Sequence, residues 1–312
     1  MTTLAFTSTL SRPERATAAT VRGAVAGAGL LVTVVLIGVG AFLAVAGWPG
    51  LTASSSELPL GASNFWALAA PLVFGSVWSA VLAVLIAVPA AVGVALYVTW
   101  FAPRAVAGFL AALVDVLAAV PSVVYGLWGL MALAPGLAPV YAWLGEHLGW
   151  FPLFAGQPSA TGRTIATGAL VLAIMIMPII AAMCREVFQR TPRASIEAAQ
   201  GLGATRWEVI RLAVLPFARG GIICGAMLGL GRALGETMAI AMVVSPAPFL
   251  IGFSVITSAN PNTVAAFIAQ VFPEAHDVEV SALIGLGLAM FLITFIVNAC
   301  ARRVARIYGE PR

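Results

Sequence analysis

An arginine and a glutamate four positions apart interrupt an otherwise apolar run from Gly220 to Ser245, in the stretch Gly229-Leu-Gly231-Arg232-Ala-Leu-Gly235-Glu236-Thr237. Charges inside a membrane segment are costly, so they mark a pathway or a buried pair. Two chemistries suit these side chains. In one, Glu236 neutralises Arg232 as an i, i+4 ion pair that only holds helices together. In the other, the guanidinium offers forked donors to the oxygens of phosphate or sulfate, Thr237 adds a hydroxyl, and Glu236 orients the arginine. The two are compatible, because an arginine can exchange a carboxylate for a passing oxyanion. Gly225 and Gly229 each stand seven positions before one of the charges, nearly the same helix face. With Gly221 they make a stripe that predicts close contact with another helix.

The rest of the composition removes most enzymatic alternatives. All 16 basic residues are arginines, which excludes Schiff-base chemistry and a P-loop, both of which need lysine. Cys184, Cys224 and Cys300 lie far apart with no CxxC, so neither a disulfide framework nor a zinc site is indicated. His147 and His276 fall in turn-rich stretches, leaving no triad or HExxH helix for an intramembrane protease. Asp115 is expected to pair with Arg104 or to cap a turn. This chain is expected to bind no cofactor and no nucleic acid.

The elements that position these residues are membrane helices. The chain has 312 residues, 61% hydrophobic and only 9% charged, more apolar surface than a soluble core needs. Uncharged runs of 34, 46, 30, 21 and 22 residues can each hold a helix of about 20. An all-α polytopic protein with six transmembrane helices is expected, with spans near 23–47, 70–99, 106–134, 164–184, 220–245 and 280–301. The third carries Asp115 and the helix-disturbing Pro121, and its neighbour Val140 to Phe154 reads as a short external helix. Sorted by these spans, one side of the membrane collects 14 arginines and the other Arg163 alone. By the positive-inside rule both termini are cytoplasmic, with residues 135–163 and 246–279 outside. The organisation is therefore a cytoplasmic segment 1–22, a permease domain 23–301 that includes a cytoplasmic loop 185–219, and a tail 302–312. Ala44-Val45-Ala46 resembles a signal-peptidase site, but the apolar run before it exceeds the roughly 7–15 residues of a cleaved signal. The first span is expected to stay attached.

The loop 185–219 reads as two short helices with a glycine break. Thr191 and Pro192 suit the start of the first, and Gly201 and Gly203 its end. Thr205 and Glu208 form a T-x-x-E capping box for the second, and Pro216 is expected to stop it. Val209, Leu212 and Ala213 make an apolar stripe flanked by arginines, suited to a membrane surface or a partner's groove.

Glu197-Ala198-Ala199, three residues, Gly203, nine residues, then Ala213-Val214-Leu215-Pro216 resembles the EAA loop of the membrane subunits of bacterial ABC importers. Ala213 stands where that motif has isoleucine. The small Ala198, Ala199 and Gly203 would let a helix sit deep in a partner's cleft, with Glu197 as an anchoring carboxylate. GLGRALGETMAI around Arg232, Pro121-Ser-Val-Val-Tyr-Gly126-Leu-Trp-Gly, Phe151-Pro-Leu-Phe-Ala-Gly156 and Ala173-Ile-Met-Ile-Met-Pro178 are similar to the PstC family of phosphate-importer permeases. The resemblance spans about residues 70–300. It implies a type I ABC importer (MetI-like) permease fold and a bacterial inner-membrane location. It also implies three partners: a paralogous PstA-like permease, a PstB-like ATPase pair that carries ATP and Mg, and an external PstS-like phosphate-binding protein. On this resemblance Glu197, Ala198, Ala199, Gly203, Leu215 and Pro216 couple to the ATPase, and Arg232, Glu236 and Thr237 line the substrate pathway.

Molybdate and sulfate permeases carry a similar Arg-Ala-Leu-Gly-Glu segment, which leaves the oxyanion open. A different class, a transporter driven by an ion gradient with Glu236 as proton carrier, would need no EAA spacing. It would be expected to show inverted repeats, which are not evident. The outer loop from Ser245 to Glu279, with Asn260-Pro261-Asn262 and the amphipathic Val264 to Phe272, reads equally as a receiver for a binding protein or as an external lid.

Overall fold

The computed structural model describes residues 12–309. Residues 1–11 and 310–312, parts of the two expected end segments, lie outside the described residues, as do the side chains of residues 12–20, Arg104, Ala301 and 304–309. Twelve α-helices follow one another among the described residues: α1 Arg12–Leu51, α2 Phe65–Leu96, α3 Arg104–Ala119, α4 Ser122–Trp128, α5 Ala134–Leu148, α6 Ile165–Gln189, α7 Arg193–Gly201, α8 Arg206–Val209, α9 Leu215–Leu234, α10 Met238–Val243, α11 Val264–Val271 and α12 Val278–Gly309. Six stretches are long and apolar enough to cross a membrane: Val21–Leu51, Phe65–Phe101, Ser122–Leu148, Ile165–Gln189, Arg206–Leu234 and Val278–Cys300. The expected span number holds. Two of the expected spans are placed differently.

The third span is not 106–134. The chain leaves the helix at Val120 and Pro121, because the residue before a proline is pushed out of the α region. α3 thus becomes a separate short helix, and the crossing runs from Ser122 to Leu148. The stretch from Val140, expected as an external helix, is the end of that crossing. The fifth span also shifts. Pro216 does not stop the helix begun at Arg206: a wide π-type turn over Ile210–Val214 joins α8 to α9. A second such turn, Gly129–Leu133, joins α4 to α5 ahead of Pro135. In both places the carbonyl four residues before the proline, which its ring would strike in an unbroken helix, lies inside the widened turn.

α6 is the central helix and packs against α2, α3, α9 and α10. Its Val171, Leu172, Ile176, Ile180 and Cys184 are fully buried. α2 turns Ala80, Ala83, Ala87, Ala91 and Ala95 inward, spacings of three and four that let two backbones approach. On α9 the glycine stripe does the same. A Cβ at Gly229 would stand 2.7 Å from Ile180 Cδ1, one at Gly225 would stand 3.2 Å from Met183 Cβ, and one at Gly221 would strike Val187. α1 packs chiefly on α12, where Cβ atoms at Gly47 and Gly50 would meet the backbone of Gly285 and Ala282.

The Gly50 contact is testable, since the atoms a side chain would meet are backbone and cannot step aside. Gly50→Val should lower the thermal stability of the detergent-solubilised protein by at least about 1–3 kcal/mol, the usual overpacking cost. Gly27→Val, where nothing lies within 4 Å, serves as the control and should melt as the wild type does.

Candidate functional site: the charged break after the fifth span and the EAA loop

α9 ends at Leu234, with Gly235 as its C-cap, and the chain breaks over Gly235, Glu236 and Thr237 before α10 starts at Met238. The break removes Glu236 from the i, i+4 position that an unbroken helix would have given it. Its Oε1 accepts from the Ala239 backbone N at 3.2 Å, which places a carboxylate on the first turn of α10, where unpaired N–H groups attract it. Glu236 is 9% exposed. Among the described residues the ion pairs are Arg185–Asp115 at 3.1 Å and Arg190–Glu186. The Arg232–Glu236 ion pair, one of the two readings the sequence allows, is not among them.

Arg232 lies on the last turn of α9, half-buried, with its Nε fully enclosed and without a hydrogen-bond partner. An arginine near a helix C-terminus is favoured by the helix dipole, but that field does not satisfy its donors. The Tyr125 hydroxyl is within electrostatic reach and is committed elsewhere, donating to the Leu117 carbonyl at 2.8 Å. Gly126 brings α4 against α10, since a Cβ there would stand 2.8 Å from Ala239 Cα. Thr237 turns its hydroxyl to the Gly235 carbonyl at 3.3 Å, so it stays within the break. The structure thus brings Arg232, Glu236 and Thr237 to one break in the chain, with the Nε of Arg232 unpartnered among the described residues.

The EAA segment forms a separate site. Glu197 and Ala198 are exposed on α7 and Ala199 is half-buried. α7 ends at Gly201, and Gly203 turns the chain at φ +83 with nothing within 4 Å of an added Cβ. The expected Thr191 cap is absent: its Oγ1 is buried and unpartnered, and Pro192 precedes the helix. The capping box is present, Glu208 Oε2 accepting from the Thr205 backbone N and hydroxyl at 2.7 Å each. Leu215 is half-buried and Pro216 exposed, on the resumed helix. A concavity opens between Ala198, Ala199, Gly203, Glu208 and Leu212. At its rim Leu202 is 90% exposed and Leu212 67%, apolar side chains left without cover.

Asp115 pairs with Arg185 on α6 and so ties α3 to α6; the expected pairing with Arg104 falls on a side chain outside the described residues. Sequence reasoning missed a polar knot at the far end of α6. Asn260 is fully buried: its Nδ2 donates to the carbonyls of Arg163 and Ser245 at 3.1 Å and of Ser258 at 3.3 Å, and its Oδ1 accepts from Ile165 N at 2.9 Å. Arg163 Nη2 donates to the Val244 carbonyl at 3.3 Å. The turn signal of Asn260-Pro261-Asn262 was visible in the sequence; its role as a tie was not.

Residues 87–309 match the family described as the binding-protein-dependent transport system inner membrane component. The chain belongs to that family. It is 45% identical over 233 residues to the phosphate transport system permease protein PstC of Mycobacterium leprae, covering 74% of this chain and 72% of that protein. It is 40% identical over 304 residues to PstC 2 of Mycobacterium tuberculosis, covering 94% and 93%. Its fold is similar to that of a chain of the MetNI methionine ABC transporter in inward-facing conformation, with TM-score 0.56 and 14% identity, covering 78% of this chain and 97% of that one. The chain is thus a multi-pass membrane permease with the MetI-like all-α fold, as expected.

Gly203 offers a sharp test within this permease family, because its surroundings are open and only the left-handed backbone restricts it. Gly203→Asn, which tolerates that conformation, should leave the melting temperature of the detergent-solubilised protein near that of the wild type. Gly203→Val, which does not, should lower it by a strain of about 1–3 kcal/mol.

Proposed function

We propose that this chain is the membrane-spanning permease subunit of an ATP-driven importer for inorganic phosphate, forming half of the translocation pathway. The observation that carries this reading is Arg232: a guanidinium with an enclosed, unpartnered Nε, held on a glycine-packed helix, while the nearest acid in sequence is spent on α10. Forked donors of that kind match a tetrahedral oxyanion, and a desolvated site strengthens the attraction. The extent of similarity to the PstC permeases favours phosphate over molybdate or sulfate.

The energy comes from a partner. The exposed Glu197, Ala198, Gly203 and Leu202 dock into an ATPase pair that carries ATP and Mg, and Leu215 and Pro216 link this surface to α9, which bears Arg232. A paralogous permease supplies the other half of the path, and an external binding protein delivers phosphate. Both termini and the 185–219 loop face the cytoplasm, which the arginine distribution supports.

Two experiments test the reading. In cells lacking the native gene, Arg232→Ala should abolish phosphate uptake while the subunit still reaches the membrane, and Arg232→Lys should transport poorly because the fork is lost. Normal uptake by Arg232→Ala sinks the oxyanion role, and uptake of sulfate or molybdate in place of phosphate reassigns the substrate. For orientation, Ser258 is exposed, whereas Ser159 is 2% exposed and unsuitable as a probe. On a background without the native cysteines, Ser258→Cys should react with a membrane-impermeant thiol reagent from outside. Ser195→Cys should react only after the membrane is opened; labelling it from outside would invert the topology.

A further inference from the structure

Arg163 is the lone arginine on the side of the membrane opposite the other fourteen loop arginines, and the phosphate pathway proposed above does not use it. Its position is electrostatically unusual. It immediately precedes Thr164, the N-cap of the 25-residue helix α6, an end whose dipole favours anions and disfavours cations. No carboxylate pairs with it among the described residues. Its Nη2 makes one long bond, 3.3 Å, to the Val244 carbonyl, and its Nε is buried with no acceptor. A cation kept beside a positive helix end, with its Nε unpartnered, gains from an anion placed within its reach.

The residue is also fixed in place. Its backbone carbonyl accepts from Asn260 Nδ2 at 3.1 Å, and its backbone N donates to Thr161 Oγ1 at 3.4 Å. Two residues on, Ile165 N donates to Asn260 Oδ1. The Val244 carbonyl it holds closes α10, whose first turn carries Glu236. The six residues of α10 span about 9 Å at 1.5 Å per residue, so Arg163 and the Arg232 break lie at opposite ends of one short helix.

We propose that Arg163 is a second oxyanion-binding residue, an outer entry site that receives phosphate before it passes along α10 to Arg232. This rests on the phosphate-permease reading and on the topology given with it. Pre-fixed donors cost little to organise when the ligand arrives, and a single half-buried positive charge at the outer mouth raises the local anion concentration. The bond to Val244 places the guanidinium at the C-terminal end of α10.

The test uses the complete transporter in proteoliposomes, with radiolabelled inorganic phosphate delivered by its binding protein. Arg163→Gln should lower phosphate uptake at least tenfold at limiting loaded binding protein and less at saturation, while ATP hydrolysis stimulated by the binding protein stays near wild type. Arg163→Lys should recover most of the uptake, and its uptake should fall with added salt, whereas that of Arg163→Gln should not. Two results overturn the entry site: wild-type uptake by Arg163→Gln at every concentration, or parallel loss of uptake and stimulated hydrolysis, which marks a mere clasp on Val244. Arg232→Ala run beside it separates the two readings. If Arg232→Ala transports normally, the phosphate pathway itself is misplaced; if it is inactive while Arg163→Gln is normal, only the entry site fails.

Discussion

The close approach of α9 to α6 is the contact on which the rest of the structure depends. Gly221, Gly225 and Gly229 remove every side chain from one face of α9, so Val187, Met183 and Ile180 of α6 fill the space directly. In a bilayer, helices gain nothing from hiding apolar surface from lipid, and association rests on such packing and on polar ties. The stripe fixes the rotation and depth of α9 relative to the central helix. It thereby fixes where Arg232, three residues beyond Gly229, comes to rest.

The charges are then sorted by helix ends and not by each other. Arg232 closes α9, Glu236 opens α10, and Arg163 holds the carbonyl that follows α10. Arg232 and Glu236 are each near the pole of the dipole that suits them, whereas Arg163 also stands beside the N-terminus of α6, which does not suit a cation. This arrangement leaves the guanidinium of Arg232 without a paired carboxylate among the described residues, which is the condition that the proposed oxyanion pathway requires. A pair between Arg232 and Glu236 would have to be broken each time the proposed oxyanion passed.

The EAA loop and the charged break share one continuous helical path. The wide turn over Ile210–Val214 carries the helix past Pro216, so the capping box at Thr205 begins the same rod that ends at Leu234. Ile210 and Val214 are fully buried, which anchors the loop end of that rod in the core while Leu202 and Leu212 remain uncovered at its rim. If the loop docks as proposed, its displacement has a direct mechanical route to Arg232.

Local chemistry carried much of this in the sequence. Apolar run lengths determined six crossings, the Thr205–Glu208 spacing determined a cap that forms, and glycines every four residues determined a packed face. Each depends on residues within one or two helical turns, where periodicity and backbone geometry leave few alternatives. What depended on contacts between distant residues was not legible. Pro216 and Pro121 look alike as helix breakers, yet one is bypassed by a widened turn while the other ends a helix, because Ile210 and Val214 have a core to pack into. Thr191 had the type and spacing of a cap, but its hydroxyl ended up buried and unpartnered. Asp115 found Arg185 across 70 residues of chain, and Asn260 found Ile165 and Arg163 across nearly a hundred. The break at Gly235 moved Glu236 off the face that a regular helix predicts. Those outcomes belong to the tertiary structure, since a side chain's partner is chosen by the helices brought beside it and not by its neighbours in sequence.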